Sequence, residues 1–229
     1  VDFLWNEREL AMSDIQIVTV YGEDAIDELN KLLDEFPQTG LFPVLLGDED
    51  DVAMIQEGLE EADAVPDLLE ESQAIDAPAW FAAARETDPD SFNDDIGEWP
   101  DEVETEMGLI THLDVMSGAP REEVQIGLLK VQHSWEAFAH LGWGGWNDCP
   151  APEEHCAIHR YWFEKYGAEV ISITGDVVQC FVANPPKTRE AAIELAREQY
   201  AYCRDIVEQG TETLAALAAG LLNSEYWYF

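Results

Sequence analysis

The chain reads as an α+β protein: a single domain with a mixed, largely antiparallel β-sheet packed by helices and opening with a strand-helix-strand unit. Three observations predict this. Ile15 to Tyr21 is rich in β-branched residues, the next segment has helical periodicity, and Phe42 to Leu46 is an unbroken apolar run suited to a buried strand. Ala168 to Thr174 and Val177 to Ala183 flank Gly175-Asp176, the pattern of a two-residue hairpin. Between these landmarks, apolar residues recur at helical spacing in segments too short for a repeat array.

In order, residues 1–13 show no clean period, although Phe3, Leu4, Trp5 and Leu10 offer a surface that can dock on the body. A helix is predicted from about Glu23 to Phe36, with Ile26, Leu29, Leu33 and Phe36 on one stripe, ended by Pro37 to Gly40. A right-handed parallel crossover is favoured for the opening unit. Gly47 to Asp51 caps a helix reaching about Ala62, and Pro66 to Ile75 and Pro78 to Arg85 form two more between proline breaks. Thr87 to Gly108, rich in Asp, Glu, Pro and Gly, reads as an exposed loop. It divides an acidic part, 1–108, from a C-terminal part, 109–229, within what is expected to be one continuous domain.

Leu109 to Val115 and Val124 to Val131 alternate like two antiparallel strands joined by Ser117-Gly118-Ala119-Pro120, and Ser134 to Leu141 reads as a short helix. From Pro152 to Tyr166 a helix places His155, Ile158, His159, Trp162 and Tyr166 on one inward face. Glycine first in Gly175-Asp176 predicts a type II′ turn. Thr188 caps a helix with an inner stripe of Ile193, Ala196, Tyr200, Cys203 and Val207, a last helix spans Thr211 to Leu222, and Tyr226 to Phe229 is a short aromatic strand.

Charge excludes some functions. The net charge of −38 repels phosphate backbones and anionic membranes, so neither nucleic acid nor membrane is an expected direct partner. Residues 1–108 hold 32 acidic and 3 basic side chains, so the excess is concentrated there. With only Lys31, Lys130, Lys165 and Lys187, the carboxylate coat fits work in concentrated salt, where the Debye length shrinks to roughly 3 Å. Mimicry of DNA by carboxylates is the rival reading. No apolar run reaches membrane-span length and no signal peptide is evident, which predicts a cytoplasmic protein with Cys149, Cys156, Cys180 and Cys203 reduced.

The candidate site is the stretch Gly142-Trp143-Gly144-Gly145-Trp146-Asn147-Asp148-Cys149-Pro150, which runs into a helix start at Pro152. Cys149, His155 and Asn147 are the catalytic candidates, because a helix N-terminus lowers a thiol pKa and an imidazole can take its proton. Trp143, Trp146, Asn147, His155, Tyr202 and Asp205 are the candidates for binding a protein or small-molecule partner, with Asn147 as anchor. His155 and His159, four residues apart, aim at one point, yet with Cys149 and Cys156 they match no closed ligand set, so neither metal nor cofactor is expected. The glycines lack the lysine of a phosphate cradle.

Thr39-Gly40-Leu41-Phe42-Pro43-Val44-Leu45-Leu46-Gly47, the Gly-Gly-Trp-Asn-Asp-Cys-Pro loop, Tyr166-Gly167-Ala168-Glu169 and Arg197 to Cys203 with Asp205-Ile206-Val207 together resemble the bacterial domain-of-unknown-function 4253 family. The resemblance implies no particular reaction. It implies further aromatic residues and an aspartate after the Trp-Tyr-Phe ending, so a shortened last strand is expected. The function expected is that of a non-enzymatic binding or regulatory module, of an immunity-like kind among others; the alternative is a small-molecule enzyme at the Cys149, His155, Asn147 recess.

Overall fold

The computed structural model describes residues 15–87, 92, 95–103 and 108–229. The docking expected of Phe3, Leu4, Trp5 and Leu10, and part of the Thr87 to Gly108 loop, lie outside them. The fold is α+β. Six strands, β1 (Gln16–Val20), β2 (Phe42–Gly47), β3 (Val124–Leu129), β4 (Ala168–Ile173), β5 (Val178–Val182) and β6 (Tyr226–Tyr228), form one open sheet in the order β1-β3-β2-β4-β5-β6. The β2/β4 pair is parallel and the other four neighbouring pairs are antiparallel. β1 and β2 therefore run parallel, as the opening unit suggests, but β3 lies between them. Because β2 also separates β3 from β4, the sheet is shared between the acidic part and the C-terminal part.

Eight α-helices occur among the described residues: α1 (Ala25–Thr39), α2 (Glu49–Glu61), α3 (Val65–Ala74), α4 (Ala77–Thr87), α5 (Ala137–Leu141), α6 (Pro152–Tyr166), α7 (Arg189–Tyr202) and α8 (Leu214–Leu221). Strand alternation divides the core between the two faces of the sheet. Leu45, Ile126 and Ile171 pack with Ala25 and Leu29 of α1, whereas Phe42, Val44, Leu46, Val170 and Cys180 face a larger core with α6. At its centre Trp162 stacks on Phe229 (centroids 5.5 Å apart) and on Phe81 (5.8 Å), and meets Trp227 edge-on. At about 25 cal/mol per Å², a buried indole contributes roughly 5 kcal/mol, which makes this cluster a principal support of the fold.

Local chemistry alters four expectations. Pro37 does not end α1; it stands in the last turn, where it removes one backbone bond, and the helix closes at Gly40, whose N–H reaches the Phe36 carbonyl at 2.8 Å. Leu109 to Val115 is not a strand beside β3, because both edges of β3 are taken by β1 and β2. Its Ile110 and Thr111 N–H groups go instead to Gln179 Oε1 at 2.8 and 3.2 Å, leaving only an isolated bridge between Leu113 and Pro120. The Gly175-Asp176 hairpin forms, but Gly175 lacks the positive φ of a type II′ turn. The turn lies against α2: a Cβ on Gly175 would stand 2.7 Å from Met54 Sδ, at the end of an exposed side chain that can move aside. Finally, α7 ends at Tyr202, so Cys203 and Val207 lie beyond its stripe, and a π-helical turn, Ile206–Thr211, precedes α8.

Asp51 joins three elements. Its Oδ2 accepts from the Asp48 N–H at 3.0 Å as part of the α2 capping box and from Arg121 Nη1 at 2.7 Å, while Oδ1 accepts from the Gly175 N–H at 3.1 Å. Arg121 also holds Asp48. Replacing Asp51 with alanine is expected to cost about 2 kcal/mol at fixed salt, since hydrogen bonds to a largely buried charged group are lost and Arg121 keeps only one carboxylate partner. Urea denaturation of Asp51→Ala measures this, and a midpoint equal to wild type would contradict the assignment.

Candidate functional site

Residues Gly142 to Ala151 link α5 to α6 and fold back on the α6 N-terminus. Gly145 donates its N–H to the Pro150 carbonyl at 2.8 Å, and Cys149 N–H reaches the Trp146 carbonyl at 2.9 Å. Asn147, at φ 52°, occupies the left-handed region within that turn, where asparagine is tolerated. Only glycine fits at 144: φ is 122°, and a Cβ would stand 2.4 Å from the Pro150 oxygen and 2.6 Å from the His155 ring. The N-cap donor finds its acceptor within the protein, as Glu154 Oε2 takes the Ala151 N–H at 2.9 Å, while Glu154 Oε1 takes Trp80 Nε1–H at 2.8 Å.

The inward face of α6 carries a line of hydrogen bonds. Cys149 Sγ lies 3.2 Å from His155 Nε2, His155 Nδ1 lies 2.8 Å from the Tyr202 hydroxyl, and the same hydroxyl lies 3.0 Å from His159 Nε2. His159 Nδ1 is then 3.7 Å from Cys180 Sγ on β5. Each nitrogen of a neutral imidazole either donates or accepts, so the line runs in one sense throughout, with the Cys149 S–H donating into it or, reversed, the Cys180 S–H. The two histidines do converge on one point, as their spacing requires, and the Tyr202 hydroxyl fills it. Among the described residues, no three His, Cys, Asp or Glu side chains are grouped to hold a metal ion.

Burial sets the protonation of this line. His155 is held well below the usual imidazole range by desolvation and by the adjacent His159, while the Pro150 carbonyl acts the other way. Desolvation alone takes His159 down to about 3. It pushes the Cys149 thiol up to about 12, with Cys203 and Glu154 adding to the rise and the Gly145 amide opposing it, and it drives the Tyr202 hydroxyl well above its ordinary value. At neutral pH both imidazoles and the thiol are uncharged.

Around this line Trp143 is the structural pivot. Its ring packs 4.8 Å from Trp146 and 4.9 Å from His155, and its Nε1–H donates to the Thr174 carbonyl at 2.8 Å. Thus Trp143, Trp146, Cys149, His155 and Tyr202 come together. Asn147 and Asp205 are exposed; burial raises the Cys203 thiol, the Ile206 and Asp205 amides oppose that rise, and the Asp205 carboxylate adds least.

Sequence reasoning missed what faces the outer side of Trp146. A cavity of about 290 Å³ is lined by Trp146, Gly175 and, from α2, Met54, Glu57, Gly58 and Glu61. The i, i+3, i+4, i+7 spacing of those four helix residues was the available signal, a methionine set on an acidic face. Glu198, also missed, is 8 % exposed and accepts from Tyr161 (2.8 Å), Lys165 (2.9 Å) and Trp162 (3.1 Å), which tethers α7 to α6.

Together these features define an α+β protein with an open six-stranded mixed sheet, a buried neutral thiol-imidazole-phenol line and an acid-lined notch beside it. Residues 125–229, from β3 to β6, match the family described as "Domain of unknown function (DUF4253)". No curated protein and no solved structure gives a significant match to the chain. Among the described residues, no helix is long and apolar enough to cross a membrane.

Proposed function

We propose that the protein is a non-enzymatic binding or regulatory module, of the general kind that immunity proteins exemplify, and that it engages its partner on the outer side of the Trp146 loop. One observation carries this reading: His155, which a thiol mechanism needs as base, is fully buried, and desolvation with the adjacent His159 leaves its imidazole a weak base. A nucleophilic cysteine works as a thiolate, and burial opposes one at Cys149. The 3.2 Å contact between Cys149 and His155 favours a second reading, a small-molecule enzyme at that pair. Affinity capture from the native lysate at high salt separates the two. Wild-type and Cys149→Ser baits should retain the same partner and Trp146→Ala should lose it; capture indifferent to Trp146, with an activity abolished by Cys149→Ser, contradicts the binding reading.

A further inference from the structure

We infer that the notch between α2 and the Trp146 loop receives an arginine side chain presented by a protein partner. The inference rests on the reading of this loop as a binding surface and adds the chemistry of what it binds. Trp146 is 36 % exposed and Met54 54 % exposed, and they form apolar walls of the same cavity. Glu57 and Glu61, one helical turn apart on α2, supply its charge, and no basic side chain lines it. An aromatic face, a thioether and two carboxylates match the parts of arginine: the aliphatic stem lies on Met54, the planar guanidinium stacks on Trp146, and its N–H fork meets the glutamates.

The size and the setting of the notch agree with that occupant. A volume of about 290 Å³ is at the low end for a small-molecule pocket and suits one inserted side chain. One wall is braced before any partner arrives: Trp146 rests edge-on against Trp143, whose indole is bonded to Thr174. A preformed wall lessens the ordering cost of a single-residue contact.

The test is a titration followed by the Trp146 indole N–H resonance, assigned with Trp146→Phe, in enough potassium chloride to keep the chain folded. N-acetyl-arginine amide, which displays the side chain as a peptide would, should shift that resonance saturably. Its citrulline counterpart, uncharged and nearly the same shape, should not. Glu57→Gln with Glu61→Gln should weaken binding by about tenfold or more, whereas Glu70→Gln with Glu71→Gln on α3, which removes the same charge elsewhere, should leave it nearly unchanged. Equal response to citrulline, equal weakening by the two glutamate pairs, or no saturable shift would each overturn the inference. If partner capture still depends on Trp146 in that case, the arginine assignment falls and the binding module stands.

Discussion

Thermal unfolding is expected to move up by about 10–20 °C between about 0.15 and 1 M potassium chloride, through screening of surface charge. A folded chain of this length has a radius of roughly 22 Å. With a net charge of −38 on it, the shorter Debye length at molar salt lowers the folded state's self-energy by about 20 kcal/mol. The expanded unfolded chain carries the same charge over longer distances and regains less. A net difference of one quarter, about 5 kcal/mol, gives the stated shift at roughly 2–4 °C per kcal/mol. Differential scanning calorimetry at constant pH measures it. A flat or falling transition temperature removes salt adaptation as the reason for the charge and favours carboxylate mimicry of DNA, which competition for a DNA-binding partner then tests.

Stability in concentrated salt is expected to fall by about 2–3 kcal/mol as the pH drops from about 7 to 5.5, from His155 and His159 together. The sign follows from where each state binds protons. In the unfolded chain both imidazoles titrate near 6.5, but in the folded protein His159 stays neutral down to about 3 and His155 is likewise held well below its ordinary value. Below 6.5 the unfolded state therefore binds more protons, and each histidine removes on the order of 1 kcal/mol over that interval. Their contribution is complete above 6.5 and is lost progressively as the pH falls toward the folded values. His112 and His140 are lowered by burial as well and steepen the same slope. Urea denaturation at about 2 M potassium chloride, where carboxylate repulsion is damped, reads the change. A stability that rises over this range, or a His159 ring resonance with a midpoint near 6.5, contradicts the buried neutral assignment.

Elements whose partners lie close in sequence, or whose apolar period is unbroken, were legible from the residues alone. The α6 stripe from His155 to Tyr166 is buried as its spacing requires, and the β4/β5 hairpin follows from two alternating runs around Gly175-Asp176. Leu109 to Val115 is no strand because its Ile110 and Thr111 donors are taken by one distant side chain, Gln179, and its Leu113 and Asp114 donors by local turns, which strand propensity cannot reveal. The type of the hairpin turn was hidden for a related reason: the Gly175 N–H is held by Asp51, more than a hundred residues away, and not by the turn itself. At the candidate site the meeting of Cys149, His155 and Trp143 was legible, since a glycine-rich loop must fold onto the helix that follows it. What was not legible is that the Tyr202 hydroxyl closes the point between the histidines, or that α2 stands across from Trp146. Both depend on how distant helices dock.

The central claim is that the Cys149 and His155 pair is a neutral packed contact beneath a binding loop, and the pH dependence of Cys149 alkylation tests it most directly. Iodoacetamide labelling, followed at Cys149 by peptide mass mapping, reads the thiolate fraction across the pH range in which the chain stays folded. The rate should be slow at neutral pH and should still be climbing above about pH 9, as a thiol pushed up to about 12 requires. A rate that reaches its plateau below about pH 7 would reveal a thiolate paired with a charged His155, and would contradict the account.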